Sequence, residues 1–131
     1  MQIESKKINV QRSAQDLCSY LSDVKNFEEL MPENISKFEV LSEKSFVFAL
    51  KGMPEIGLEV KEVEAPEKVV LGAISDKIPF QLTANISEID AGSSEAELVF
   101  NGDFNPMMAM MIKGPITKFL ETLTTNLEKL Q

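Results

Sequence analysis

Histidine and tryptophan are absent from this 131-residue chain, cysteine and tyrosine occur once each, and no uninterrupted apolar run is long. Each shortage excludes something. Histidine is the side chain most used for general acid–base catalysis, so without it the Ser-His-Asp and Cys-His nucleophilic arrangements are lost together. The lone Cys18 can form no internal disulfide and no cysteine-rich metal site. A metal would have to rest on carboxylates alone, and these alternate outward on the predicted strands, so no metal site is expected. Spanning a bilayer takes about 20 consecutive apolar residues. Met1 to Val10, with Lys6 and Lys7 among polar neighbours, reads as neither signal peptide nor anchor. The expectation is a cytoplasmic protein with no stable membrane insertion.

Basic residues are also in the minority, 13 against 21 acidic, for a net charge of −8. That balance repels phosphate backbones and anionic surfaces, so no nucleic-acid partner is expected. The acids are dispersed through predicted hairpins (Glu55, Glu59, Glu62, Glu64, Glu67, then Glu88, Asp90, Glu95, Glu97), as on a solvated sheet face. The length suits one domain, residues 1–131, and 44% hydrophobic with 26% charged residues is ordinary for a globular chain.

What is present is a change of period. Ile3 to Gln11 reads as a first strand. Ser13 then caps a helix in which Leu17, Tyr20 and Leu21 share a face bordered by Cys18, and Asp23 restarts a short second helix that stops before Pro32. From Ile35 the period becomes two: Phe38 and Val40, then Phe46, Phe48 and Leu50, then Ile56, Leu58 and Val60 alternate with polar or small neighbours. Ala65-Pro66-Glu67 breaks the chain before a more continuously apolar run, Val69 to Ile74. Phe80 to Ile86 and Ala96 to Phe104 flank the turn Asp90-Ala91-Gly92-Ser93-Ser94, and Gly102 suits a bend or bulge. Consecutive antiparallel strands with short connections give an α+β architecture: a curved seven-stranded antiparallel sheet, two short helices after strand 1, and a long C-terminal helix.

That final helix is expected from Asn105, an N-cap followed by Pro106 at the first helical position. Ile112, Ile116, Phe119, Leu120, Leu123, Leu127 and Leu130 recur at helical spacing. Pro115 inside it predicts a kink or a break into two segments. Just before lie Met107, Met108, Met110 and Met111, four of the seven methionines. Methionine fills irregular space and repacks around varied shapes, so the cluster is read as core filling, as a cavity lining, or as an exposed partner surface. One helix cannot cover a wide sheet by lying flat on it, so a sheet curling around it leaves a space where a small apolar molecule could sit.

Little chemistry accompanies that space. Tyr20 has a hydroxyl that could reach a ligand carbonyl or be tied up structurally, and Asn26 suits capping or turn duty, or the cavity entrance. Cys18, with no basic neighbour on its helix, reads as a small buried hydrophobe. Lys51-Gly52-Met53-Pro54 and Glu55-Ile56-Gly57 lack the spacing of a phosphate-binding loop.

The opening Ile8-Asn9-Val10-Gln11-Arg12-Ser13 leading to Asp16-Leu17, the stretch from Leu21-Ser22-Asp23 to Phe27-Glu28-Glu29-Leu30-Met31-Pro32, and the closing Phe104-Asn105-Pro106-Met107-Met108 together resemble the START/Bet v 1-like (SRPBCC) superfamily. The chain is similar to small uncharacterised bacterial members related to polyketide cyclases and lipid-transport proteins. The resemblance covers nearly the whole chain and implies a helix-grip fold around a cavity for a hydrophobic ligand such as a lipid or polyketide. Catalytic members carry acids, bases or polar aromatics there. Here the predicted inner positions (Phe46, Phe48, Leu50, Leu58, Leu82, Phe100) are apolar, and the glycine-rich loop of the plant members is missing. Both departures favour binding over catalysis. The expected ligand contacts are Tyr20, Phe48, Leu82, Phe100, Met107, Met108, Met111, Ile112 and Phe119, with no catalytic residue and no cofactor. The alternatives are a cyclase or hydratase using Tyr20, and a protein-interaction module using the methionines or the outer sheet face.

Overall fold

The structure, a computed structural model, describes residues 2–33, 35–50, 55–74 and 80–130. Its strands are β1 (Gln2–Glu4), β2 (Ile8–Val10), β3 (Ile35–Ser42), β4 (Ser45–Leu50), β5 (Ile56–Glu64), β6 (Lys68–Ala73), β7 (Phe80–Asp90) and β8 (Ser93–Gly102). Its helices are α1 (Ala14–Ser22), α2 (Phe27–Leu30) and α3 (Pro106–Glu128), with a 3-10 turn at Val24–Asn26 ahead of α2. All strand pairs are antiparallel, and the sheet runs β1-β8-β7-β6-β5-β4-β3, with β2 also on β8. The six-strand meander is as the period-two pattern predicts. Lys51 to Pro54, tested above for a phosphate loop, lie outside the described residues.

The first strand departs from expectation. Instead of one strand from Ile3 to Gln11 there are two, both paired with β8, so the seven-strand sheet is present with its first strand divided and counts eight. Glu4 pairs with Val99 but Ile8 pairs with Ala96, four steps along the chain against three along β8. One extra residue has therefore been inserted, a bulge in effect. Ser5 covers the discontinuity: its amide donates to the Leu98 carbonyl at 2.8 Å and its hydroxyl accepts from the Leu98 amide at 2.9 Å. A hydroxyl standing in for a ladder acceptor cannot be seen in hydrophobic periodicity.

Local signals elsewhere act as read. Ser13 Oγ accepts from the Asp16 amide at 3.1 Å, Asp23 caps the 3-10 turn through the Lys25 amide at 3.1 Å, and Asn105 Oδ1 accepts from the Met108 amide at 2.8 Å. Asp90 Oδ1 accepts from the Gly92 amide at 2.8 Å and sets the β7–β8 turn. α1 packs on β6, β7 and β8, while α3 lies against β1, β2, β8 and α2. Asn126 of α3 donates to the Leu30 carbonyl at 2.8 Å, so the long helix caps the end of α2.

α3 continues through Pro115 without a break. Proline deletes the bond to the Met111 carbonyl and crowds it. Here Pro115 and Met111 are both exposed, so water can serve that carbonyl, and Gly114 lacks the Cβ that would clash with the proline ring.

Candidate functional site

Between sheet and helices, where a space for a ligand is expected, lies a packed apolar interior. α1 and α2 contribute Leu21, Phe27 and Leu30; the sheet contributes Leu71, Leu82, Ala84 and Leu98; α3 contributes Leu123 and Leu127. What remains open among them is about 10 Å³. That is roughly one water-sized sphere, and an apolar void of this kind stays dry.

Phenylalanine accounts for much of the filling. All eight are engaged in ring contacts. Phe46 stacks with Phe27 at 5.2 Å, Phe38 at 5.3 Å and Phe48 at 6.0 Å, and Phe48 meets Phe119 of α3 at 5.0 Å with ring planes 11° apart. This stack ties β3 and β4 to α2 and α3. A second stack joins Phe80, Phe100 and Phe104 near the end of β8, with centroids 5.3 and 6.0 Å apart. Such contacts add about 0.5–1.5 kcal/mol each beyond area burial.

The residues expected to contact a ligand separate into three groups. Phe48, Leu82, Phe100 and Phe119 are buried in the core, and Leu82 borders the small void. Ile112 is half-buried against that core, and Met108 is half-buried. Met107 and Met111 are 74% and 70% exposed, on the solvent side of α3. Tyr20 is buried at its ring, and its hydroxyl donates to Glu29 Oε2 at 2.9 Å, with the Asn26 carbonyl at 3.4 Å. The Arg12 guanidinium lies over the ring, 5.1 Å from its centroid. Burial first, then the hydrogen bond and negative charge of Glu29, push the phenol up to about 12, with Arg12 opposing. Asn26 is structural too, its amide donating to the Tyr20 carbonyl at 2.9 Å. Cys18 is buried, which raises its thiol pKa and keeps it un-ionised.

A larger hollow of 340 Å³ was not legible in the sequence. It opens where Ile3 to Lys6 meet the flank of α3, with Ile3 and Leu120 as apolar floor and Thr117, Glu121, Thr124 and Thr125 along its helical wall. Lys6 Nζ sits 3.3 Å from Glu128 Oε1. Thr117 and Thr124 turn their hydroxyls back to the Lys113 and Leu120 carbonyls of their own helix, at 2.6 and 3.1 Å. The hollow lies between the first strand and the flank of α3, segments remote in sequence, so no pattern within α3 announces it.

Among the described residues, no group of three His, Cys, Asp or Glu could hold a metal, and no helix is long and apolar enough to cross a membrane. Among the described residues, the side chains that line this void are all apolar and include no acid, base or nucleophile.

No family model matches the chain, and no curated protein sequence matches it. Solved structures do. A START superfamily protein from Mycobacterium smegmatis is 16% identical with a TM-score of 0.74, covering 97% of this chain and 94% of that one. Norcoclaurine synthase from Thalictrum flavum is 15% identical with a TM-score of 0.75, covering 98% and 84%. A conserved protein from Geobacillus kaustophilus is 12% identical with a TM-score of 0.72, covering 98% and 93%. The chain has the helix-grip fold of START and Bet v 1-like proteins.

Proposed function

Starting from that fold, we propose that this protein binds a small apolar molecule between sheet and helices and performs no chemistry on it. The supporting observation is the composition of the interior: every side chain around the void, from Leu21 to Leu127, is apolar. The START-like fold of the neighbours supports ligand binding, and norcoclaurine synthase from Thalictrum flavum has been solved in complex with dopamine and hydroxybenzaldehyde. A cyclase-type reaction on this chain would call on Tyr20, whose hydroxyl is already committed to Glu29. A cytoplasmic setting goes with this reading, given a single unpaired cysteine.

The void of about 10 Å³ among these described residues holds no ligand, so binding at that point requires α2 and α3 to move off the sheet. Micromolar affinity corresponds to about 8 kcal/mol, and at about 25 cal/mol per Å² a few hundred Å² of buried apolar surface supplies that gross term. The displaced leucine contacts are the opposing cost, so ligands large enough to replace them are favoured over very small ones. Lipid-like or polyketide-like molecules meet that requirement.

The test is native mass spectrometry of freshly purified protein, with solvent extraction and a titration with the apolar fluorophore N-phenylnaphthylamine. The expected result is a co-purifying apolar small molecule, or saturable probe binding displaced by fatty acid. A clean apo mass together with no probe binding overturns the proposal.

A further inference from the structure

Arg12 is the one arginine in a chain with 21 acidic residues, and it forms no ion pair among the described residues. Its Nε is buried and finds no acceptor among them, a costly position for a charged donor. The guanidinium lies over the Tyr20 ring, 5.1 Å from its centroid, and the hydroxyl of the same ring donates to Glu29 Oε2 at 2.9 Å. One phenol therefore carries a cation above its face and a carboxylate at its tip, and the two do not meet. Glu29 belongs to α2 and stays where that helix holds it.

This junction borders the apolar interior. Tyr20 is part of the buried core, and its neighbour Leu21 lines the small void together with Phe27 and Leu30. α2 has four residues, too few to stand alone, and is held by the stack of Phe27 on Phe46, by Asn126 on the Leu30 carbonyl and by the Tyr20–Glu29 bond. A ligand that enters beside Leu21 moves α2, and moving α2 takes the Glu29 carboxylate off the Tyr20 hydroxyl. The phenol is then a donor without an acceptor, beside an arginine that already lacks one. A carboxylate on the incoming ligand satisfies both groups. Not being fixed to α2, it can lie between the hydroxyl and the guanidinium, where Glu29 does not reach. One arginine in a chain of net charge −8 suits a monoanion and disfavours a dianion.

We infer that the ligand is an apolar monocarboxylic acid of fatty-acid type, whose chain lies in the interior and whose carboxylate takes the place of Glu29 at the Tyr20 hydroxyl and pairs with Arg12. This rests on the binding role proposed above and adds the chemistry of the head group. Glu29 is the internal stand-in that keeps the empty protein closed.

Displacement of N-phenylnaphthylamine from the full chain by decanoate and by 1-decanol at neutral pH tests it, because the two share a chain and differ in the head group. Decanoate should displace the probe at an at least about tenfold lower concentration, the scale of one charge-assisted pair. Arg12→Gln should remove that preference while leaving 1-decanol unchanged, and Arg12→Lys, which keeps the charge, should retain part of it. Tyr20→Phe, which keeps the ring under Arg12, should reduce it as well, so the outcome does not depend on the folding of one variant. Equal displacement by acid and alcohol, or a preference that survives Arg12→Gln, overturns this inference and leaves the binding role standing. Absence of saturable probe binding overturns the binding role and this inference together.

Discussion

Single side chains decide how full the interior is. Phe46 and Phe48 are almost completely buried, and between them they contact Phe27, Phe38 and Phe119. Phe46→Ala should therefore cost about 3–5 kcal/mol, seen as a lower urea midpoint, because neighbouring rings held by three different elements cannot collapse into the gap. Tyr20 makes a different prediction. Its phenol is raised to about 12 from the ordinary 10, so the folded state keeps its proton where the unfolded chain has lost it. The sign follows: this contribution is complete below pH 10 and is lost as pH rises toward 12. Thermal melts should show an alkaline loss of stability over that window that is smaller in Tyr20→Phe. That variant should also be less stable by about 1 kcal/mol at neutral pH for want of the bond to Glu29. The alternation of Phe46 and Phe48 was legible in the sequence. The commitment of the Tyr20 hydroxyl was not, because Glu29 lies on a separate helix whose angle to α1 no local pattern encodes.

At the scale of elements, α3 and the end of β8 carry the opposed constraints. Pro115 costs its helix a hydrogen bond, and an interior proline typically costs about 3 kcal/mol. Its exposure and the preceding Gly114 reduce that penalty, so Pro115→Ala should stabilise the protein by about 1–2 kcal/mol, measured as a higher melting temperature with unchanged far-ultraviolet circular dichroism. Gly102 works in the reverse sense. A Cβ there would lie 2.6 Å from a ring carbon of Phe104 and 2.8 Å from Cβ of Phe80, so the chain approaches itself where the second phenylalanine stack closes. Gly102→Ala should destabilise by about 1–3 kcal/mol, as overpacking does. Both elements were visible from spacing and caps. Of the kink or break expected at Pro115, the break is absent, because the cost of a proline depends on whether water reaches the carbonyl it orphans, and that depends on which face of the helix is outside.

For the molecule as a whole, the central quantity is the difference between a container and a filled core. The void of about 10 Å³ lies beside Leu123, which is 1% exposed and faces the sheet from α3. Leu123→Ala should cost about 2–5 kcal/mol and enlarge that void. The same variant should bind N-phenylnaphthylamine more tightly than the parent, since fewer leucine contacts must be displaced. Equal or weaker binding would place the probe elsewhere, the 340 Å³ hollow beside β1 being the next site to examine. A stabilised molecule should behave oppositely: variants that tighten α2 against α3 around Asn126 and Leu30 should slow ligand entry.

The sequence alone determined the meander, the long final helix, the caps at Ser13, Asp23 and Asn105, and the absence of histidine. These follow from local periodicity, from side chains bonding their own backbone within a few residues, and from composition. Tertiary structure decided the break at Ser5, the continuity of α3, the outward turn of Met107 and Met111, the tie between Tyr20 and Glu29, and the closeness of packing around Leu82. The physical reason is common to all five. A period tells which residues share a face, but what that face meets is fixed by side chains remote in sequence, and there a single bulge or ring stack decides whether a gap opens or closes.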